Sequence, residues 1–252
     1  MTWFEKKFDN RYSGVKHPQQ RTFFPKENLF LSLSITTRLI IANILFFIGF
    51  FIIVSIFAKT HEQYAMFFSN VALQPLNILE IKKFWTVITH MFMHANLTHL
   101  LVNMLSLLFI GNFIEKLLGK KRFFWLYFVG GLVSALFFVT LAGFFGGSEL
   151  GGRVFGSPIT FAVGASGAIF ALGGLLAMLT PRLKVLVFFI IPMPMWMAMT
   201  FFMGFFWIIT FTANLPIGNA AHLGGLVTGL IYGTYLKHKY PRKTKMIARV
   251  FS

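Results

Sequence analysis

Six apolar stretches, each near the length that crosses a bilayer, decide what this chain can fold into. They lie at about 36–58, 96–117, 123–145, 160–180, 194–213 and 219–237. A helix rises ~1.5 Å per residue, so ~20 apolar residues are needed to cross a hydrocarbon core of ~30 Å. Inside that core every backbone N–H and C=O must find a partner within the protein, which selects helices. Hydrophobic residues make up 56% of the 252 and charged residues only 12%, about half the share usual in soluble domains. The expected fold is an all-α polytopic membrane protein with a bundle of six transmembrane helices over 36–237. A basic segment, 1–35, precedes it and a basic tail, 238–252, follows.

The basic residues orient the bundle. On this map nineteen of the twenty-three Lys and Arg fall on one side: in the N-terminal segment, between the second and third helices, between the fourth and fifth, and in the tail. Lys59, Lys82, Lys83 and Arg153 fall on the other. Basic loops stay cytoplasmic, so both termini are expected there. The net charge of +16 is then explained by membrane topology and anionic lipid rather than by nucleic acid. With no signal-peptide pattern at the start, the first span is expected to serve as the insertion signal. There is no cysteine, which excludes disulfide and thiol chemistry. Residues 60–95 mix Phe84, Trp85, Met91, Phe92 and Met93 with polar side chains, as an interfacial segment does. Residues 183–192 (LKVLVFFIIP) are apolar, but Pro192 and Pro194 break any helix. An extended or re-entrant connection is expected there.

On this topology the second, fourth and sixth helices all begin on the outer side. His94, His99 and Asn103 open the second, Ser166 lies a turn or two into the fourth, and His222 lies one turn into the sixth. Polar groups from three distant segments thus reach one depth, and ionisable residues at membrane depth mark functional sites. A serine hydroxyl needs a base before it can attack a carbonyl, and imidazole titrates in a suitable range. The oxyanion that forms needs fixed donors. Candidates are the Ser166 amide and the side chains of His99 and Asn103, four residues apart on one helix face, with His94 in support. Gly164 and Gly167 leave room beside the serine. Gly225 and Gly229 form a small-xxx-small face that lets helices touch backbone to backbone. No carboxylate is near in the pattern, so a Ser166–His222 dyad is expected.

Each signal has a plainer reading. A serine in a membrane helix can bond its own backbone, glycines at this spacing can serve packing alone, and Asn103 can simply join helices. His90 and His94 could be two ligands of a metal, though zinc sites take three or four from protein. His99 and His222 could be imagined as axial ligands of a haem.

Taken together, the residues resemble the rhomboid family of intramembrane serine proteases, across about 80–235. HMFMHANLTHLLVN places His90, His94, His99 and Asn103 at the family's offsets. Gly164-Ala165-Ser166-Gly167 resembles its nucleophile motif, and Ala221-His222-Leu223-Gly224-Gly225 with Gly229 its base motif. Glu115 resembles an acidic residue usual after the second helix. The resemblance implies a serine endopeptidase of the compact prokaryotic type, in the cytoplasmic membrane with its site facing outside. It would cleave single-span transmembrane substrates near their outer end, with no metal or cofactor. Ser166 would be nucleophile and His222 base and acid. His99, Asn103 and the Ser166 amide would line the oxyanion site, and residues 194–218 would gate access from lipid. Two positions depart from the pattern: Thr86 and Leu117 stand where many members carry arginine. The alternative is a non-catalytic rhomboid-like protein that binds or helps extract transmembrane clients.

Overall fold

Residues 33–188, 190–213 and 218–251 are described by the computed structural model. The basic N-terminal segment expected over 1–35 therefore lies almost wholly outside the described residues. The first helix, α1 (Ile35–Phe57), starts where Ser34 accepts a hydrogen bond from the Thr37 amide. The Glu115 carboxylate, from a distant helix, accepts from the amides of Ile35 and Thr36 and from the Thr36 hydroxyl, at 2.7–2.9 Å. A carboxylate at a helix N-terminus satisfies orphan amides and complements the dipole. Leu45, Ile48, Ile52, Ile53 and Ile56 of α1 are exposed, a surface suited to lipid.

Three short helices follow: α2 (His61–Ser69), α3 (Pro75–Leu79) and α4 (Thr86–Thr89). They fold into a cap tied down by polar side chains. Trp85 donates to the Asn70 carbonyl and Thr89 to that of Val71, while Met93 buries completely against Phe50 and Val54. The second long element is one 22-residue run, α5 (Leu97–Ser106) and α6 (Asn112–Leu118), joined by a π-helical turn at Leu107–Gly111. α7 (Lys120–Phe145) and α8 (Glu149–Phe155) come next, then α9 (Ser166–Leu179). A two-stranded antiparallel hairpin, β1 (Lys184–Val187) and β2 (Ile191–Pro194), leads to α10 (Met195–Ala213). α11 (Asn219–Lys239) and α12 (Pro241–Val250) complete the described chain.

The core is built around α9, eleven of whose fourteen residues are buried. It runs between α7 and α11 at backbone contact. A Cβ added at Gly130 of α7 would meet the Ala171 side chain, and one at Gly229 of α11 the Ala171 carbonyl. Without a hydrophobic driving force between helices in lipid, such close approach is what holds spans together.

The chain is mostly helical and a multi-pass membrane protein. Among the described residues, four elements are long and apolar enough to cross: α1, α5–α6, α7 and α10. α9 is apolar but shorter, and α11 is diluted by glycine and polar residues.

Two expectations change. The fourth helix begins at Ser166 rather than near 160, so Ser166 is its first residue instead of lying a turn or two inside. The cause is a distant contact and a strained turn: Ala162 pairs with Leu73, far away in sequence, as an isolated antiparallel bridge, and Gly164, at φ +122°, cannot continue a helix. The hairpin adds a small sheet to a fold expected to be all-α, at the place where an extended connection was expected. Pro192 and Pro194 lie in β2, and both strands of a two-stranded sheet are edges, where a missing N–H is tolerated. The tail expected over 238–252 is largely the helix α12.

Candidate active site

Four elements meet at the N-terminal end of α9. Gly164 brings them together. Its amide donates to the His90 carbonyl at 2.8 Å, which pins the chain before α9 to the cap. Its positive φ turns that chain so that Ser166 opens the helix with its hydroxyl toward α11. The positive φ is strained for any residue with a Cβ, and the space is also closed. A Cβ there would stand 2.9 Å from the His99 ring and 3.6 Å from Ser166 Oγ. His99 and Ser166 therefore lie on either side of one small opening.

Ser166 Oγ is hydrogen-bonded to His222 Nε2 at 2.8 Å. Two aromatic rings fix the imidazole: Phe170 stacks on it at 4.5 Å between centroids, and Phe206 of α10 leans against it at 5.3 Å. His222 Nδ1 is buried and has no hydrogen-bond partner among the described residues. The helix that carries His222 is itself held in place. Ser134 of α7 donates to the Ala221 carbonyl at 2.7 Å, and its hydroxyl fills the space a Cβ on Gly167 would need.

The second element supplies polar groups on the other side. Asn96 caps α5 by accepting from the His99 amide at 2.8 Å. Asn103 lies one turn further and donates to the His99 carbonyl at 2.8 Å. The His94 ring packs edge-on against that of His99, 5.2 Å between centroids, and His94 Nε2 is buried without a hydrogen-bond partner among the described residues. His90 bonds the Thr86 carbonyl through Nδ1 at 2.8 Å, and burial pushes its imidazole down to about 4. Among the described residues no three His, Cys, Asp or Glu side chains are grouped closely enough to hold a metal ion.

Chemically, this is a hydroxyl paired with an imidazole at a helix N-terminus, with histidine and amide donors nearby. The pattern of the rhomboid domain matches residues 82–239. The chain belongs to the rhomboid family. It is 32% identical over 191 residues to RHOMBOID-like protein 4 of Arabidopsis thaliana, covering 71% of this chain and 42% of that protein. It is 33% identical over 155 residues to Rhomboid protein 1, mitochondrial, of Saccharomyces cerevisiae, covering 60% and 41%. It is also 34% identical over 62 residues to Inactive RHOMBOID-like protein 8 of Arabidopsis thaliana, covering 25% and 18%. The chain thus spans less than half the length of these curated relatives.

Within this rhomboid fold Ser166 bonds His222, Gly164 lies between Ser166 and the His99 ring, and His94 packs on His99; Asn103 joins them only through the His99 carbonyl, and Gly225 and Gly229 lie on the α9–α11 contact. Where many members carry arginine, Thr86 donates to the Lys83 carbonyl. Two residues before Leu117, the Glu115 carboxylate is spent on the start of α1. Sequence reasoning missed Phe170, Phe206 and Ser134. Phe170 was detectable, being one helical turn from Ser166 and so on the same face. Ser134 is the sole hydroxyl of α7 between Tyr127 and Thr140. Nothing in sequence pairs it with the Ala221 carbonyl.

Proposed function

We propose that this rhomboid is an intramembrane serine endopeptidase working through a Ser166–His222 dyad. The observation that carries the reading is the 2.8 Å bond between Ser166 Oγ and His222 Nε2. With Nδ1 protonated, Nε2 accepts the hydroxyl proton as Oγ attacks the scissile carbonyl, and later returns it to the leaving amine. The tetrahedral oxyanion is stabilised by the Ser166 amide at the start of α9 and by the His99 and Asn103 side chains. His94 supports the His99 ring. The acyl-enzyme is then hydrolysed by water. Phe170 and Phe206 keep the imidazole in place without a third, acidic member.

The substrates we propose are single-span transmembrane proteins, cut near the end of the span that faces the site. The basic loops set the six-helix orientation, with both termini on the cytoplasmic side of a prokaryotic membrane and the site opening outside. Residues 194–218, of which 214–217 lie outside the described residues, gate access from lipid, which is supported by Phe206 of α10 lying against the base.

The test is labelling of the detergent-purified protein with a fluorophosphonate probe, alongside cleavage of a single-span reporter. Ser166→Ala and His222→Ala should each abolish both signals, and the double variant should be no worse, because the pair acts as a unit. Asn103→Ala should retain labelling while slowing cleavage about 10²–10³-fold, the usual cost of one oxyanion donor. Cleavage that survives Ser166→Ala overturns the mechanism. One relative is named inactive, which gives a second reading a footing: a protein that binds transmembrane clients without cutting them. Client capture by a folded wild type that neither labels nor cleaves would select it.

A further inference from the structure

α12 carries chemistry that the dyad does not use. After Glu149 the chain has no Asp or Glu at all, yet Lys237, Lys239, Arg242, Lys243, Lys245 and Arg249 crowd into thirteen residues. α12 also leaves the bundle with no linker. Tyr240 ends α11 and caps α12, whose first residue is Pro241. α11 packs along α9 inside the bundle, so this elbow sits at the membrane rim. The Tyr240 ring has Arg122 and Lys239 at 5.8 Å and Lys243 at 6.0 Å. An amphipathic ring flanked by cations is the usual furniture of the headgroup layer.

The helix has three faces. Thr244, Ile247, Ala248 and Phe251 turn inward, and Phe251 packs edge-on against Phe113 of α6 at 5.2 Å. Arg242, Lys245 and Arg249 fall together on a second, exposed face at the 3, 4 and 7 spacing of one helix side. Met246 and Val250, one turn apart, occupy a third; they are 44% and 70% exposed. A basic ridge beside an apolar pair on a docked helix is the pattern of a segment lying in the bilayer interface. Water or nucleic acid would match the ridge but leave the apolar pair wet.

We propose that α12 binds anionic phospholipid: headgroup phosphates seat on Arg242 and Lys245, while Met246 and Val250 enter the acyl boundary. Because α11 and α12 are continuous, the lipid anchors the end of the helix that carries His222. The proposal depends on the membrane fold and not on catalysis, so it can fail while the dyad stands.

The chain has no cysteine, so Val250→Cys can carry a single environment-sensitive dye on the full-length protein. The protein is reconstituted in phosphatidylcholine vesicles, with or without added phosphatidylglycerol, and brominated lipid serves as quencher. The expected result is a blue-shifted, bromolipid-quenched emission that requires phosphatidylglycerol and fades in high salt. Arg242→Gln with Lys245→Gln should weaken it roughly twenty-five-fold, about fivefold per charge lost near an anionic surface. The salt titration of the unsubstituted protein gives the same answer if the double variant fails to fold. Equal insertion in neutral vesicles overturns the proposal, as does insertion that ignores salt. A dye that responds to a DNA oligonucleotide but not to phosphatidylglycerol overturns it in favour of nucleic acid.

Discussion

At the scale of single residues, the glycines set how close Ser166 and His222 can come. A Cβ on Gly225 would collide with the Gly167 carbonyl, which is backbone and cannot swing aside. Gly167 follows Ser166 and Gly225 lies three residues after His222, so the pair's separation is fixed at this contact. Gly225→Ala should therefore cost about 1–3 kcal/mol of stability, the usual penalty of overpacking a tight interface, and should also lengthen the Ser166–His222 bond. Thermal unfolding in detergent reads the first effect. Fluorophosphonate labelling below the melting point reads the second, and normal labelling with normal stability would show the contact to be slack. Gly225 and Gly229 were legible because spacing of small residues states a packing rule directly. Gly164 was legible as small but not as strained, since its positive φ follows from the Leu73–Ala162 bridge, a pairing between segments nearly ninety residues apart.

At the scale of elements, the α5–α6 run does two jobs. Its first two turns hold His99 and Asn103 beside the site, and its last holds Glu115 against the start of α1. Between them the π turn at Leu107–Gly111 inserts one extra residue per bond. It shifts the phase of the two halves, so the histidine face and the Glu115 face are set independently. Glu115 is 7% exposed and accepts three hydrogen bonds from residues 35 and 36. Glu115→Gln keeps the shape but replaces one acceptor oxygen with a donor that faces other donors. The expected loss is about 1–3 kcal/mol, the cost of leaving buried polar groups unpaired. The damage should fall at the α1 start, seen as faster hydrogen exchange of the Ile35 and Thr36 amides before the rest of the bundle opens. Uniform exchange across α1 would show that this anchor is not local. The sequence identified Glu115 only by resemblance; its partners on α1 could not be inferred because no local pattern links them. The same limit hid the true start of α9, whereas long apolar runs such as α1 and α7 were readable to within a few residues.

At the scale of the whole molecule, apolar length and charge placement give different kinds of information. Apolar length alone identifies four spans among the described residues. α9 falls short, at fourteen residues or ~21 Å, because its N-terminal end is replaced by the extended chain that delivers Gly164 and Ser166. α11 falls below the apolar threshold because its Gly225, Gly229 and Gly233 face a neighbouring helix instead of lipid. α9 is buried among other helices and α11 turns its glycine face onto it, so neither has to be apolar over a full bilayer thickness, and that is why hydropathy underreads them. Charge placement supplies what length cannot. With six crossings, the loop carrying Lys59 and Gln63 and the tail carrying His238 must lie on opposite sides. An odd number of crossings would bring one terminus across. Single cysteines at Gln63 and His238, introduced into the cysteine-free chain, should react with a membrane-impermeant maleimide from opposite faces of oriented vesicles. Gln63→Cys should label on the face that also admits the fluorophosphonate probe to Ser166. If both cysteines label from one face, the six-span orientation is wrong and the site opens toward the basic loops.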